Sequence, residues 1–127
     1  MKIRIGFIAF LLAGMLSCSG QSEHSISVEQ LNQKINSDSS NYVLVDVRNP
    51  DELTGPLGKI DGVINIPLPE LEDRQGELEE YKDKEIIFIC RSGRRSGIAA
   101  DKFAEKGYKA YSLEGGMIEY GKQTEKK

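Results

Sequence analysis

Short apolar runs alternate with polar, helix-like stretches along the chain. Residues 42–47 (YVLVDV) and 85–90 (EIIFIC) are continuous runs rich in aliphatic and β-branched side chains. Such runs indicate strands that are buried on both faces of a sheet. Two further runs, GVINIP and KAYSL, predict shorter strands.

Other stretches carry helix signals. Residues 27–36 place Ser27 and Gln30 at capping-box spacing. The aliphatic stripe of this predicted helix consists of Val28, Leu31 and Ile35. Residues 96–107 (SGIAADKFAEKG) predict a second helix that stops at a glycine. The acidic residues 68–84 predict a loosely helical segment with a solvated face, and MIEYGK predicts a helical turn.

Strands that alternate with helices at such short spacing predict an α/β fold with a parallel sheet covered on both faces. Ligands of these folds bind at the carboxyl ends of the strands. One predicted strand delivers Asp46 and Arg48 to that edge, and another delivers Cys90. We therefore expect the functional site at this edge.

The N-terminus carries the features of a secretory signal. Lys2 and Arg4 precede an apolar run over residues 5–16, and small residues follow. The run is shorter than the roughly 20 residues that span a bilayer. The segment also lacks the 3.6-residue stripe of a packed helix, which counts against the alternative of an ordinary buried helix.

Cys18 directly follows this run, in an arrangement that resembles the lipobox of bacterial lipoproteins. The resemblance implies that Cys18 is lipidated and becomes the first mature residue. The protein is then expected in the bacterial cell envelope, on the periplasmic or surface side, held to a membrane by lipid. An ordinary signal peptide cut near residues 19–21, which gives a secreted protein, is the alternative. The expected divisions are a signal peptide (1–17), a tether (18–24), one domain (25–121) and a frayed tail (122–127).

The charge of the mature chain argues against nucleic acid as a partner. Without Lys2 and Arg4, 15 basic residues face 20 acidic ones, so the formal charge falls from −3 to −5. Nucleic-acid binding requires a basic face. The arginines that follow Cys90 are therefore a local exception.

Cys90 is the only cysteine of the predicted domain, and in the motif CRSGRRS three arginines follow it within five residues. A chain that turns from a strand into a helix here directs N–H groups toward the sulfur, and Gly93 permits the turn. The helix N-terminus and the arginines add positive charge, which favours the thiolate, the nucleophilic form. A buried core cysteine is the alternative, but packing alone does not call for three neighbouring arginines.

Four blocks in this order, VLVDVRNPDEL, GKIDGVINIP, CRSGRRS and LEGG, resemble a single-domain rhodanese. The resemblance spans about residues 25–121. It implies a three-layer α/β fold with a central, mainly parallel five-stranded sheet, and sulfurtransferase activity through a persulfide on Cys90. It also implies that the residues after the cysteine bind the substrate: Arg91, Ser92, Gly93, Arg94, Arg95 and Ser96. Asp46 and Arg48 are expected to support this loop as an ion pair or cap, with direct catalysis as the alternative.

The implied reaction moves a sulfane sulfur from thiosulfate or a related donor to a thiol or cyanide. We expect no cofactor, no metal and a monomer. One alternative is a rhodanese-like module that binds a partner or carries sulfur without catalysis. Another is a cysteine-dependent phosphatase or arsenate reductase, which requires a C-x5-R loop, whereas Ser96 stands at the arginine position. A thioredoxin-type protein requires paired cysteines that this domain lacks.

Overall fold

The computed structural model describes residues 23–37 and 40–125. The predicted signal peptide, Cys18 and residues 18–22 of the tether lie outside the described residues. None of the helices within the described ranges has the length and hydropathy to cross a membrane.

Five parallel strands form one sheet in the order β1-β5-β4-β2-β3. Their bounds are β1 Ser25–Ile26, β2 Tyr42–Asp46, β3 Ile64–Asn65, β4 Glu85–Ile89 and β5 Lys109–Leu113. The predicted α/β fold with a five-stranded parallel sheet is confirmed. The apolar pattern did not reveal β1, because two residues are too few to show a period. This strand is defined instead by its pairing with Ser112 and Leu113 of β5.

Within residues 23–37 and 40–125, three α-helices cover the sheet: α1 Val28–Asn36, α2 Arg94–Glu105 and α3 Gly116–Thr124. The capping box of α1 is present as predicted, with Ser27 and Gln30 satisfying each other's backbone N–H. By contrast, α2 begins at Arg94, two residues earlier than predicted, and α3 is longer than the predicted helical turn. Residues 122–124 therefore belong to a helix, which corrects the prediction of a frayed tail for that part.

The remaining helical segments are short 3-10 turns. They comprise Pro50–Thr54, Leu68–Glu70 and Gln75–Tyr81. The last two lie in the acidic stretch that was predicted to be loosely helical, and Leu71 and Leu78 of this stretch are buried while most of its acidic side chains are exposed.

Each face of the sheet carries its own hydrophobic core. On one face, Val45 and Phe88 pack in a cluster with Ala99, Ala100 and Phe103 of α2. On the other face, Leu44, Ile87 and Ile89 pack in a cluster with Val28 and Leu31 of α1 and Met117 of α3. The prediction that the central strands are buried on both faces is thus confirmed. Ile35, which was placed on the inward stripe of α1, is instead 37% exposed, because it lies in the last turn of the helix.

The strand register brings the predicted site residues to one edge. Asp46 of β2 lies opposite Ile89 of β4, and the Val47 N–H donates to the Ile89 carbonyl at 2.9 Å. Both strands are parallel, so the residues that follow them emerge side by side. Cys90 and Arg48 therefore both follow strands that end at the carboxyl edge of the sheet.

Candidate active site

Cys90 opens a sharp turn, the cysteine loop (residues 90–95), that leads from the end of β4 into the first two residues of α2. Gly93 caps α2 with φ of 101°, a conformation that favours glycine. In this turn the Gly93 N–H donates to Cys90 Sγ at 3.0 Å. The turn therefore aims a backbone donor at the sulfur, as the sequence indicated.

The sulfur itself is buried. Ile86, Phe88 and Cys90 alternate along the same face of the chain and belong to the core cluster beneath α2, and Cys90 is only 1% exposed. A cysteine kept for its reactivity was expected to be open to sulfur donors, and that expectation is wrong, because Cys90 is as buried as a core cysteine. The physical reason is that the alternation of β4 continues through Cys90 and turns its side chain toward α2.

Two serine hydroxyls form a hydrogen-bonded chain that starts at the Cys90 sulfur. Ser96 Oγ lies 3.3 Å from Cys90 Sγ, and Ser112 Oγ of β5 lies 2.7 Å from Ser96 Oγ. Both serines are buried. Ser96 was among the predicted site residues, but Ser112 was not. Its signal was a hydroxyl residue inside the otherwise apolar end of a strand.

The N-terminus of α2 adds further donors next to the sulfur. The N–H of Gly97 makes the first helical hydrogen bond, to the Gly93 carbonyl at 3.0 Å. The N–H groups of Arg94, Arg95 and Ser96 precede this bond and so have no acceptor within the helix. Such a helix end favours an anion.

The cysteine loop is held from outside by α3. The N–H of Met117 donates to the Cys90 carbonyl at 2.9 Å, and the N–H of Ile118 donates to the Arg91 carbonyl at 3.0 Å. In a trans peptide the N–H points opposite to the carbonyl. Fixing these two carbonyls toward α3 therefore turns the next two N–H groups of the loop away from it.

The three arginines of the loop have different surroundings. Arg95 forms a two-point ion pair with Glu52, with N···O distances of 2.7 and 2.8 Å. This pairing lowers the pKa of Glu52 from its usual 4.5 to about 2, and the carboxylate raises the pKa of Arg95. Arg94 is exposed, and Arg91 is exposed beside a groove of about 440 Å³.

This groove is lined by charged and apolar residues of the segment after β2. They are Arg48, Asp51, Glu52, Gly55, Pro56 and Leu57, together with Arg91. Sequence reasoning missed Glu52. Its signal was the spacing of Asn49 and Glu52, which form a capping box in which the Asn49 N–H donates to Glu52 Oε2 at 2.9 Å.

Asp46 and Arg48 form a fully buried ion pair. Arg48 Nε lies 2.9 Å from Asp46 Oδ1, and Arg48 Nη2 lies 2.7 Å from Asp46 Oδ2. The guanidinium also donates to the carbonyls of Glu52 and Gly58. These bonds secure the segment that carries Glu52, and none of them reaches the sulfur. The geometry agrees with the predicted supporting role, which stays a prediction until it is measured.

Comparison with known proteins bears on what this loop is. Residues 27–123 match the family described as Rhodanese-like domain. The chain belongs to this family. The rhodanese domain is 36% identical over 102 residues to "Putative sulfurtransferase YtwF" of Bacillus subtilis, a match that covers 80% of this chain and 94% of that protein. It is 42% identical over 101 residues to "Putative sulfur carrier protein YrkF" of the same organism, which covers 79% of this chain and 52% of that protein.

Solved structures give the same result for the rhodanese fold. A rhodanese-related protein from Thermoplasma volcanium superposes with a TM-score of 0.69 at 33% identity, covering 79% of this chain and 92% of that one. The resemblance inferred from the four sequence blocks is confirmed at the level of family and fold.

The contact between α3 and the cysteine loop leaves no room for a side chain at Gly116. A Cβ there would lie 2.5 Å from the Cys90 carbonyl oxygen and 2.6 Å from the Arg91 carbonyl carbon, and Gly116 has φ of 57°. We expect Gly116→Ala to lower the free energy of unfolding by about 2 kcal/mol or more. Gly121→Ala in the same helix is the matched control, because its Cβ meets no atom within 4 Å. Equal destabilisation of both variants in urea unfolding would contradict the contact.

The Glu52–Arg95 pair predicts a pH-dependent stability. Because the pKa of Glu52 is lowered from 4.5 to about 2, its contribution is fully present above about pH 4.5 and is lost as the pH falls toward 2. The pair is partly exposed, so we expect Glu52→Gln to cost about 1 kcal/mol at pH 7. The difference from wild type should shrink in urea unfolding below about pH 4.5. Glu72→Gln, which removes a more exposed pair with Lys102, serves as the control with a smaller effect. A difference for Glu52→Gln that stays constant with pH would refute the pairing.

Proposed function

We propose that this rhodanese domain transfers a sulfane sulfur from thiosulfate or a related donor to a thiol or cyanide, through a persulfide on Cys90. The main support is the Gly93 N–H, which donates to Cys90 Sγ at 3.0 Å directly before the N-terminus of α2. That arrangement stabilises a thiolate before the reaction and a persulfide anion after it.

In the first step, the Cys90 thiolate attacks the outer sulfur of thiosulfate. A bond forms between Sγ and this sulfur, while the sulfur–sulfur bond of thiosulfate breaks and its electron pair leaves with sulfite. A thiolate and a dianion become a persulfide anion and a dianion, so charge is conserved and no oxidant is consumed. The step resembles thiol–disulfide exchange.

In the second step, an acceptor thiolate attacks the outer sulfur of the persulfide. The Sγ–S bond breaks, and its electron pair returns to Sγ as the Cys90 thiolate. The acceptor leaves as a persulfide anion. Because the sulfur is held covalently on Cys90 between the two steps, donor and acceptor do not have to react with each other directly.

Positive charge on the exposed arginines of the cysteine loop favours the approach of the anionic donor to Cys90. A dianion about 4 Å from a thiolate is repelled by about 2 kcal/mol even in bulk water. Arg91 and Arg94 are exposed, whereas the charge of Arg95 is already offset by Glu52. We therefore assign attraction of the donor to Arg91 and Arg94, and positioning of the loop to Arg95. Because Cys90 is buried, the attack also requires movement of the side chains that cover Sγ.

A sulfur carrier is the second candidate function. The relative whose name describes a carrier, YrkF, supports it. The Gly93 N–H and the N-terminus of α2 would stabilise a persulfide in a carrier as well. The two functions differ in turnover: a transferase discharges its sulfur to a small thiol and reloads repeatedly, whereas a carrier keeps the sulfur until a partner protein removes it.

The first test is the intact mass of the full chain after incubation with thiosulfate. We expect wild type to gain one sulfur atom and Cys90→Ser to gain none. Cys18→Ser is the matched control, because it removes the other cysteine of the chain and keeps Cys90. An unchanged gain in Cys90→Ser, or no gain in Cys18→Ser, would overturn the assignment. Addition of cyanide or a small thiol then separates the candidates: repeated release of sulfur indicates a transferase, and retention indicates a carrier.

A further inference from the structure

The buried hydroxyl of Ser112 takes part in neither step of the proposed sulfur transfer. Ser112 lies on β5, whereas the cysteine loop joins β4 to α2. Its Oγ is 2.7 Å from Ser96 Oγ, and Ser96 Oγ is 3.3 Å from Cys90 Sγ. We propose that Ser112 is a positioning residue that orients the Ser96 hydroxyl so that it donates to the Cys90 sulfur. The catalytic consequence rests on the proposed function.

The direction of this chain of hydroxyls follows from a count of protons. A thiolate has no proton and only accepts, so the Ser96 O–H must donate to Sγ. Ser96 Oγ is then free to accept, and the Ser112 O–H is its donor at 2.7 Å. With a protonated thiol the chain can reverse, with S–H donating to Ser96 and Ser96 donating to Ser112. The Ser96 hydroxyl can thus bond the sulfur in either protonation state.

The sheet fixes Ser112 from two sides. It pairs with Phe88 of β4 and with Ser25 of β1, and its N–H donates to the His24 carbonyl at 2.8 Å. Phe88 lies two residues before Cys90 on the same strand face. The distance between Ser112 and the sulfur is therefore set by the register of β4 and β5, which does not depend on the cysteine loop.

Without the Ser112 hydroxyl, the Ser96 hydroxyl can bond a backbone carbonyl in place of the sulfur. A serine in the first turn of a helix can rotate its hydroxyl onto a backbone carbonyl three or four residues earlier. That rotation removes a donor from Sγ. The loss matters most when the Sγ–S bond breaks, because the electron pair then arrives on Sγ and a hydrogen bond to a charged acceptor is stronger than a neutral one.

Charged groups near the sulfur are left in place by changes at Ser112. The guanidinium of Arg95 is close enough to interact with Cys90 and Asp46 electrostatically, and it stays bound to Glu52. A change in reactivity that follows substitution of Ser112 therefore reports on the hydroxyls and not on the ion pairs.

The test compares Ser112→Val with Ser112→Thr, which have nearly the same size and differ in the hydroxyl. Two rates are measured on the full chain at one pH: alkylation of Cys90 by iodoacetamide, and single-turnover discharge of the persulfide to a small thiol. Each measurement is made in a Cys18→Ser background so that only Cys90 reacts. We expect Ser112→Val to slow both rates about fivefold, the effect of one lost hydrogen bond, and Ser112→Thr to restore them. The KM for thiosulfate should stay unchanged, because Ser112 is buried whereas Arg91 and Arg94, to which we assign attraction of the donor, are exposed.

Ala110→Gly is the control for packing, since Ala110 is buried in the core cluster that contains Cys90 and lies two residues before Ser112 on the same face of β5. A loss in Ala110→Gly equal to that in Ser112→Val would show that β5 acts only through packing and would overturn the proposal. Equal rates in the Val and Thr variants would also overturn it. If Ser112→Val does not fold, Ser112→Ala replaces it with the same expected loss. Should wild type take up no sulfur, the proposed function fails, while the alkylation rates still decide the role of Ser112.

Discussion

Hydrogen bonds from α3, a helix that lies far away in sequence, fix the backbone of the cysteine loop, and the geometry around Cys90 follows from them. The N–H groups of Met117 and Ile118, in the first turn of α3, donate to the carbonyls of Cys90 and Arg91 at 2.9 and 3.0 Å. A helix N-terminus needs acceptors for these groups, and the loop needs its carbonyls turned outward. One contact meets both needs. It also explains the glycine at position 116, because a side chain there would collide with the backbone of the cysteine loop.

The charges around the loop are divided between support and function. Two ion pairs secure the segment after β2, and the charges cancel within each pair. One is the buried pair of Asp46 and Arg48, and the other is the partly exposed pair of Glu52 and Arg95. A buried ion pair that loses one partner is costly, so this segment resists rearrangement. Arg91 and Arg94 remain at the surface. The positive charge open to an anionic donor is therefore smaller than the arginine count in the sequence indicates.

Features with a local pattern were predictable from the sequence, and features made by distant pairing were not. Apolar runs predicted the central strands, the spacing of Ser27 and Gln30 predicted the cap of α1, and the order of strands placed Cys90 at the carboxyl edge. The two-residue β1, the partnership of Glu52 with Arg95 and the position of Ser112 all depend on the sheet register or on loop closure. The burial of Cys90 was also missed, because arginines next to it in sequence do not reveal which way its side chain turns.

A crystal structure of the protein after reaction with thiosulfate would show whether the loop holds the transferred sulfur. We expect an extra sulfur on Cys90 that lies within hydrogen-bond distance of the backbone N–H groups of Arg94, Arg95 or Ser96, with the Cys90 and Arg91 carbonyls still bound by α3. An outer sulfur directed into the core beneath α2, or a loop whose N–H groups face away from this sulfur, would show that the loop does not stabilise the persulfide.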